Sequence, residues 1–157
     1  MNQIQLITRS RNLVRDLTNA FFREQDVVAY LNEGMERVGQ VIPELVGMTP
    51  LGTHLQEVEL MPKHYQHLLA LYCAARLCTQ DERHYQAATF MNEFEIKLAE
   101  LADKIINGDI EILDEEGNLI YEQKAYGHVK NEYYNVRGGI VRQYRKYAPN
   151  DWEEDDI

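Results

Sequence analysis

The chain has 157 residues, which suits one domain, and a fold of this size buries about two-thirds of the surface its unfolded chain exposes. Apolar side chains make up 45% of it, which excludes a disordered chain, while the formal charge of −10 argues against generic wrapping of a phosphate backbone. The longest apolar stretch, Leu68 to Ala75, falls far short of the ~20 residues a membrane span needs, and the opening MNQIQLITRSRNLVRDL sets arginines among its apolar residues, so neither a membrane helix nor a secretory signal is expected.

In chain order, Ile4, Ile7, Val14 and Leu17 recur at helical spacing and predict a first helix ending between Asp16 and Asn19. Asp26 suits the N-cap of a second helix, with Val27, Leu31, Met35, Val38 and Ile42 on one stripe and Pro43 as its stop. Gly34 and Gly39 lie inside it and each costs about 1 kcal/mol relative to Ala, so another helix is expected to approach closely there. The segment PELVGMTPLGTH reads as a loop tethered by Leu45, Val46 and Leu51. After Pro62, a good first-turn residue, KHYQHLLALYCAARLCT is apolar nearly all round and predicts the central, most buried helix. Cys73 and Cys78, the two cysteines, lie on different faces of it and read as small buried apolar residues.

Asp81 is placed to cap a fourth helix whose residues Ala87, Met91, Phe94, Leu98, Leu101 and Ile105 alternate by four and three, a seam for packing along another helix; Asn107 and Gly108 supply its stop. From Asp81 to Asn107 it would extend ~40 Å. The period then changes, and IEIL and LIY flanking DEEGN predict a β-hairpin over 109–122. An isolated hairpin is marginal in water, so it should lie against the helices or another subunit. From Gln123 onward little period remains. The expected fold is mainly α: a helical core over 1–108 of about four helices, a small β-hairpin over 109–122, and an extended C-terminal arm with an acidic tail over 123–157.

Catalytic signatures are missing from the sequence. No phosphate-binding loop, nucleophile elbow, HExxH helix or paired CxxC occurs, and Arg137, Gly138 and Gly139 lack the strand-loop-helix setting that a phosphate cradle requires. His64 and His67 share a helix face and could hold a divalent metal if Glu57, Glu59 or His84 supplied a third ligand, although histidines at the wet start of a helix are more often surface groups. Asp81 with Glu82, and Asp114 to Glu116, are explained by a helix start and a turn. No enzyme, cofactor or metal is expected.

The most informative stretch is the arm. Half of the ten tyrosines, Tyr126, Tyr133, Tyr134, Tyr144 and Tyr147, interleave there with Lys124, Lys130, Arg137, Arg142, Arg145 and Lys146 against the single acid Glu132, before the acidic DWEEDDI. Tyrosine offers large contact area at low entropic cost and arginine makes geometrically specific pairs, so the mixture favours protein docking through Tyr126, Tyr133, Tyr134, Arg137, Arg142, Tyr144, Arg145, Lys146 and Tyr147. The same residues could stack bases and grip phosphates, as a helical regulatory protein binding nucleic acid would use them, but the adjoining acids would repel a phosphate backbone. A third course folds the arm back on its own core.

In order, the first helix, then DVVAYLNEGMERVGQVIPEL, then ELMPKHYQHLLALYCAARLCTQDERHYQAATFMNEFEIKLAEL resemble the head-to-tail connector (adaptor) family of tailed bacteriophages, over roughly Leu6 to Ile106. The residues that carry the likeness are Leu31, Asn32, Glu33 and Gly34, then Met61 and Pro62, then Asp81, Glu82, Phe90, Glu93, Phe94 and Glu95; Met61 stands where the family usually has leucine. The resemblance implies a virion protein of the neck, between capsid and tail, made in the host cytoplasm. It implies a ring, usually of twelve subunits, that docks on the portal protein, touches neighbouring adaptors, extends the DNA channel and offers a platform to tail or nozzle proteins, with no membrane involved. Acids such as Glu93, Glu100 and Asp103 would suit a lumen through which DNA passes without specific binding.

Overall fold

The computed structural model describes residues 1–18 and 21–112. They form four helices: α1 (Gln3–Val14), α2 (Glu24–Val41), α3 (His67–Gln80) and α4 (His84–Asn107), with 3-10 turns at Pro43–Leu45 and Lys63–Tyr65. Among the described residues the extended backbone makes a single antiparallel bridge, Asn2 to Glu57. Asp109 to Ile112 form no strand, so the four residues that should open the hairpin do not; the rest of 109–122, and the arm and tail over 123–157, lie outside the described residues.

The mainly helical architecture is as expected, and α3 is its centre. Ten of its side chains, among them Leu68, Leu69, Ala70, Cys73, Ala74 and Leu77, are buried, and it packs on α1, α2 and α4, with α4 the most extensive partner. The predicted seam of α4 is the face that meets it: Ala87, Phe94, Leu98, Leu101 and Ile105 are buried, with Met91 partly so. The Phe94 ring sits edge-on to Tyr72 with centroids 5.1 Å apart, a favoured aromatic geometry. The α2 stripe Val27, Leu31, Met35, Val38 and Ile42 is buried as predicted, and both cysteines are fully enclosed.

The approach expected at the glycines is met in one case. A Cβ on Gly34 would stand 3.2 Å from Cδ1 of Tyr72, so α3 does press against it; at Gly39 the neighbour is Val46, at 3.5 Å from its Cα, in the segment after α2 and not on a helix. Leu45 and Leu51 tether that segment as predicted, whereas Val46 is 70% exposed. Asn32 fixes it further, accepting from Leu51 N at 2.8 Å and donating to Leu51 O at 3.1 Å.

Helix ends differ from expectation where backbone geometry overrides the residue signal. α1 begins in a capping box between Asn2 and Gln5 and stops at Val14, because Arg15 turns into the left-handed region (φ 64°). α2 starts before Asp26, with Arg23 at its N-cap and no side-chain cap; Glu24 and Asp26 stand in the first turn, where carboxylates meet the positive end of the helix dipole. Asp81 closes α3 instead of opening α4, its N–H donating to the Leu77 carbonyl. Pro62 likewise starts the 3-10 turn and not α3 itself; Gln66 joins the two by donating to the carbonyls of Val58 and Met61 at 3.1 and 3.0 Å. Gly108 (φ 78°) ends α4 as read from the sequence.

The largest correction concerns α1. Ile7 and Val14 are buried, but Ile4 and Leu17 are 46% and 75% exposed, and the inward face carries Gln3, Leu6, Ser10 and Arg11. Ser10 and Arg11 occupy it because both are satisfied there, whereas the buried Gln3 Oε1 has no hydrogen-bond partner among the described residues. Ser10 Oγ donates back to the Leu6 carbonyl at 2.8 Å, while Arg11 pairs with Asp16 at 2.5 Å and donates to the Phe22 carbonyl at 2.9 Å.

Candidate interaction surface

The docking residues predicted on the arm, Tyr126, Tyr133, Tyr134, Arg137, Arg142, Tyr144, Arg145, Lys146 and Tyr147, all lie outside the described residues. The histidine constellation can be placed. His64 is exposed, and the ring Nδ1 of His67 lies 2.7 Å from the His64 carbonyl, which accepts from it. His84 opens α4 beside the other end of α3, a helix of 14 residues or ~20 Å away. Among the described residues no three His, Cys, Asp or Glu side chains gather closely enough to hold a metal ion, and no helix is long and apolar enough to cross a membrane.

Two clefts border the described body. One, of about 430 Å³, lies between α2 and the following segment and is lined by Met35, Glu36, Gly39, Leu45, Val46 and Met48 among others. The other, of about 290 Å³, is bordered by Ile4, Thr8, Arg11, Asp16, Leu17 and His54; its ionisable groups are already engaged, Arg11 with Asp16, and His54 with Glu24 at 2.5 Å.

Around α3 the polar groups bind helices together. Tyr72 on α3 donates to Glu33 on α2 at 2.9 Å, and burial first and Glu33 second push its phenol up to about 12. Arg76 pairs with the other Glu33 oxygen at 3.3 Å and stacks over Tyr30 at 5.4 Å. Arg37 joins α2 to α4 through Glu95 at 3.2 Å. On α4, Glu100 accepts from Lys104, Lys97 and Tyr65 at 3.0, 3.2 and 3.0 Å; hydrogen bonds from Lys104, then Lys97 and Tyr65, hold its carboxyl down at about 2. Burial lifts the Cys73 thiol to about 12, leaving little reactive thiolate.

What the sequence reading missed is a second apolar row on α4. Tyr85 (87% exposed) and Ile96 (68%) are separated by three helical turns and so share a face, with exposed Ala88, Ala99 and Ile106 beside them. This row lies on the side opposite Phe94, Leu98 and Leu101. Its spacing of 3, 8, 3 and 7 residues, interrupted by the polar Asn92 and Asp103, was present in the sequence, but the unbroken row of large side chains claimed the core role. Leu17 (75%), Phe21 (79%) and Leu55 (80%) are also exposed; Leu17 stands beside Ile4 and His54 at the smaller cleft, and Phe21 donates its N–H to Asp16 at 3.3 Å.

No family model, characterised protein or solved structure matches this chain.

Proposed function

We propose that this protein is a structural component of a tailed-phage virion, a head-to-tail connector that docks on the portal as a ring, extends the DNA channel and carries the attachment platform for the tail. The observation that supports it most is the division of labour in one chain. A helical body buries a complete core within residues 1–112 and still leaves large apolar side chains outside, and a Tyr- and Arg-rich stretch over 124–147 follows it. Surfaces of this kind mark contact with other polypeptides. A basic stretch on an otherwise acidic chain gives such contact electrostatic direction. The family resemblance over Leu6 to Ile106 supplies the identity of the partners: the portal, adjacent subunits, tail or nozzle proteins, and DNA that passes without specific binding.

Mixing the purified chain with the portal protein encoded beside it, and imaging the product by electron microscopy, tests the reading. A stoichiometric ring complex is expected. No complex at micromolar concentrations of both would sink it. Salt-sensitive binding of DNA by the full chain, lost on removal of 123–157, would favour the nucleic-acid reading in its place.

A further inference from the structure

The charge of the described body is unevenly placed. Residues 1–23 hold Arg9, Arg11, Arg15 and Arg23 against the carboxylate of Asp16, which pairs with Arg11; the next acid, Glu24, borders the same cleft as Leu17 and is held by His54, so Arg9, Arg15 and Arg23 stand exposed with no ionic partner among the described residues. On α4 the balance is reversed. Asp103 lies on the outer apolar row and Glu93 beside it, both exposed and both without an ionic partner among the described residues, whereas Glu95 and Glu100 are held by Arg37 and by Lys97 and Lys104. Arg15 and Arg23 stand two residues from the exposed Leu17 and Phe21, and Glu93 and Asp103 share α4 with the exposed Tyr85 and Ile96.

We infer that these are the two halves of one contact between copies of this chain, the outer face of α4 in one copy seating on the α1–α2 edge of the next. This rests on the assembly reading above and names the surfaces by which neighbours meet. Charge complementarity selects a second copy as the occupant: the α4 row presents carboxylates around apolar side chains, and the α1–α2 edge presents guanidinium groups around apolar side chains. Ala88 keeps the surface low beside Tyr85, and Ala99 beside Ile96, which leaves room along the α4 row for Leu17 or Phe21 of a neighbour. α1 and α4 touch at one end, where Arg83 donates to the Val14 carbonyl at 3.1 Å, and make no extended contact along their lengths, so their outer faces are different surfaces. A contact between two different surfaces completes itself in a pair only when both contacts form at once across a two-fold axis; without that reciprocity each copy added leaves one face open, and the series ends only by closing into a ring. Glu93 and Asp103 then face a neighbour's arginines and not the channel.

The test uses two full-length variants at exposed positions, Ile96→Asp and Leu17→Asp, with melting curves to verify folding and mass photometry and sedimentation to read association. Wild type is expected to form species larger than dimers as concentration rises, and raised salt to weaken them. Each variant alone should associate at least tenfold more weakly. Mixed one to one, they retain one intact α4 face and one intact α1–α2 edge between them, and should give a heterodimer and nothing larger. A wild-type chain that stays monomeric at millimolar concentration, a variant that associates as wild type does, or a mixture of folded variants that gives no heterodimer overturns the inference. In each of those cases the portal-docking experiment still decides the connector reading separately.

Discussion

Arg11 is carried inside on α1 with Asp16 as its counter-charge, and both are over 90% buried. Two such charges gain little over a well-packed apolar pair, but removing one partner strands the other away from water. Asp16→Ala should therefore lower stability by about 3–5 kcal/mol in urea unfolding, with Arg11 left to the Phe22 carbonyl. Arg11→Met combined with Asp16→Leu should recover most of the loss. Glu100 is a different case, an exposed carboxylate whose lysine and tyrosine donors lower its folded-state value from 4.5 to about 2. A depressed acid contributes its stability above the unfolded value, and loses it as pH falls through the folded one. The melting temperature of Glu100→Gln should accordingly lie below that of the parent at pH 6, and the gap should close between about pH 4.5 and 2. A gap that is constant across that range would show that the three donors do not act on ionisation.

At the scale of helices, the two glycines of α2 separate propensity from packing. Gly34→Ala would gain up to about 1 kcal/mol of helix propensity but drive a methyl against the Tyr72 ring, so a net loss of about 1–2 kcal/mol is expected. Gly39→Ala meets Val46 at ordinary contact distance and should be neutral or stabilising by up to about 1 kcal/mol in the same melts. Both had read alike in the sequence, since a glycine in a helical stripe does not say what lies above it. α3 and the α4 seam were legible because their large apolar side chains repeat with the helical period, and the α2 stripe for the same reason. The inward face of α1 was not, because Ser10 and Arg11 are polar residues made burial-competent by partners at Leu6, Asp16 and Phe22, which periodicity cannot see. The starts of α2 and α4 were misplaced because Arg23 and Arg83, which no capping rule favours, hold the N-cap positions. The outer row of α4 was overlooked through the habit of assigning one apolar face to a helix, a rule that holds for a subunit standing alone.

For the whole molecule, the body encloses its core within residues 1–112, from Leu6 to Ile112. Truncation after Glu122 should leave the cooperative thermal transition within a few degrees of the full chain and, on the proposed connector reading, abolish portal docking as read by co-sedimentation. A truncated chain that docks undiminished would place the proposed docking surface on the helical body and not on the C-terminal stretch. The candidate residues there were legible from composition, through the interleaving of tyrosine and arginine, while the α4 and α1–α2 surfaces needed side-chain exposure to be found.

The enclosure of α3 by its three neighbours has a consequence for measurement. Amides at Ala70, Cys73, Ala74 and Leu77 have no route to solvent that spares the surrounding helices, so in deuterium labelling they should exchange solely through complete opening of the body. Their slowest rates then report the global free energy in native buffer, without denaturant. The same probes, followed in the presence of a binding partner, would register how firmly the body is clamped by its surroundings.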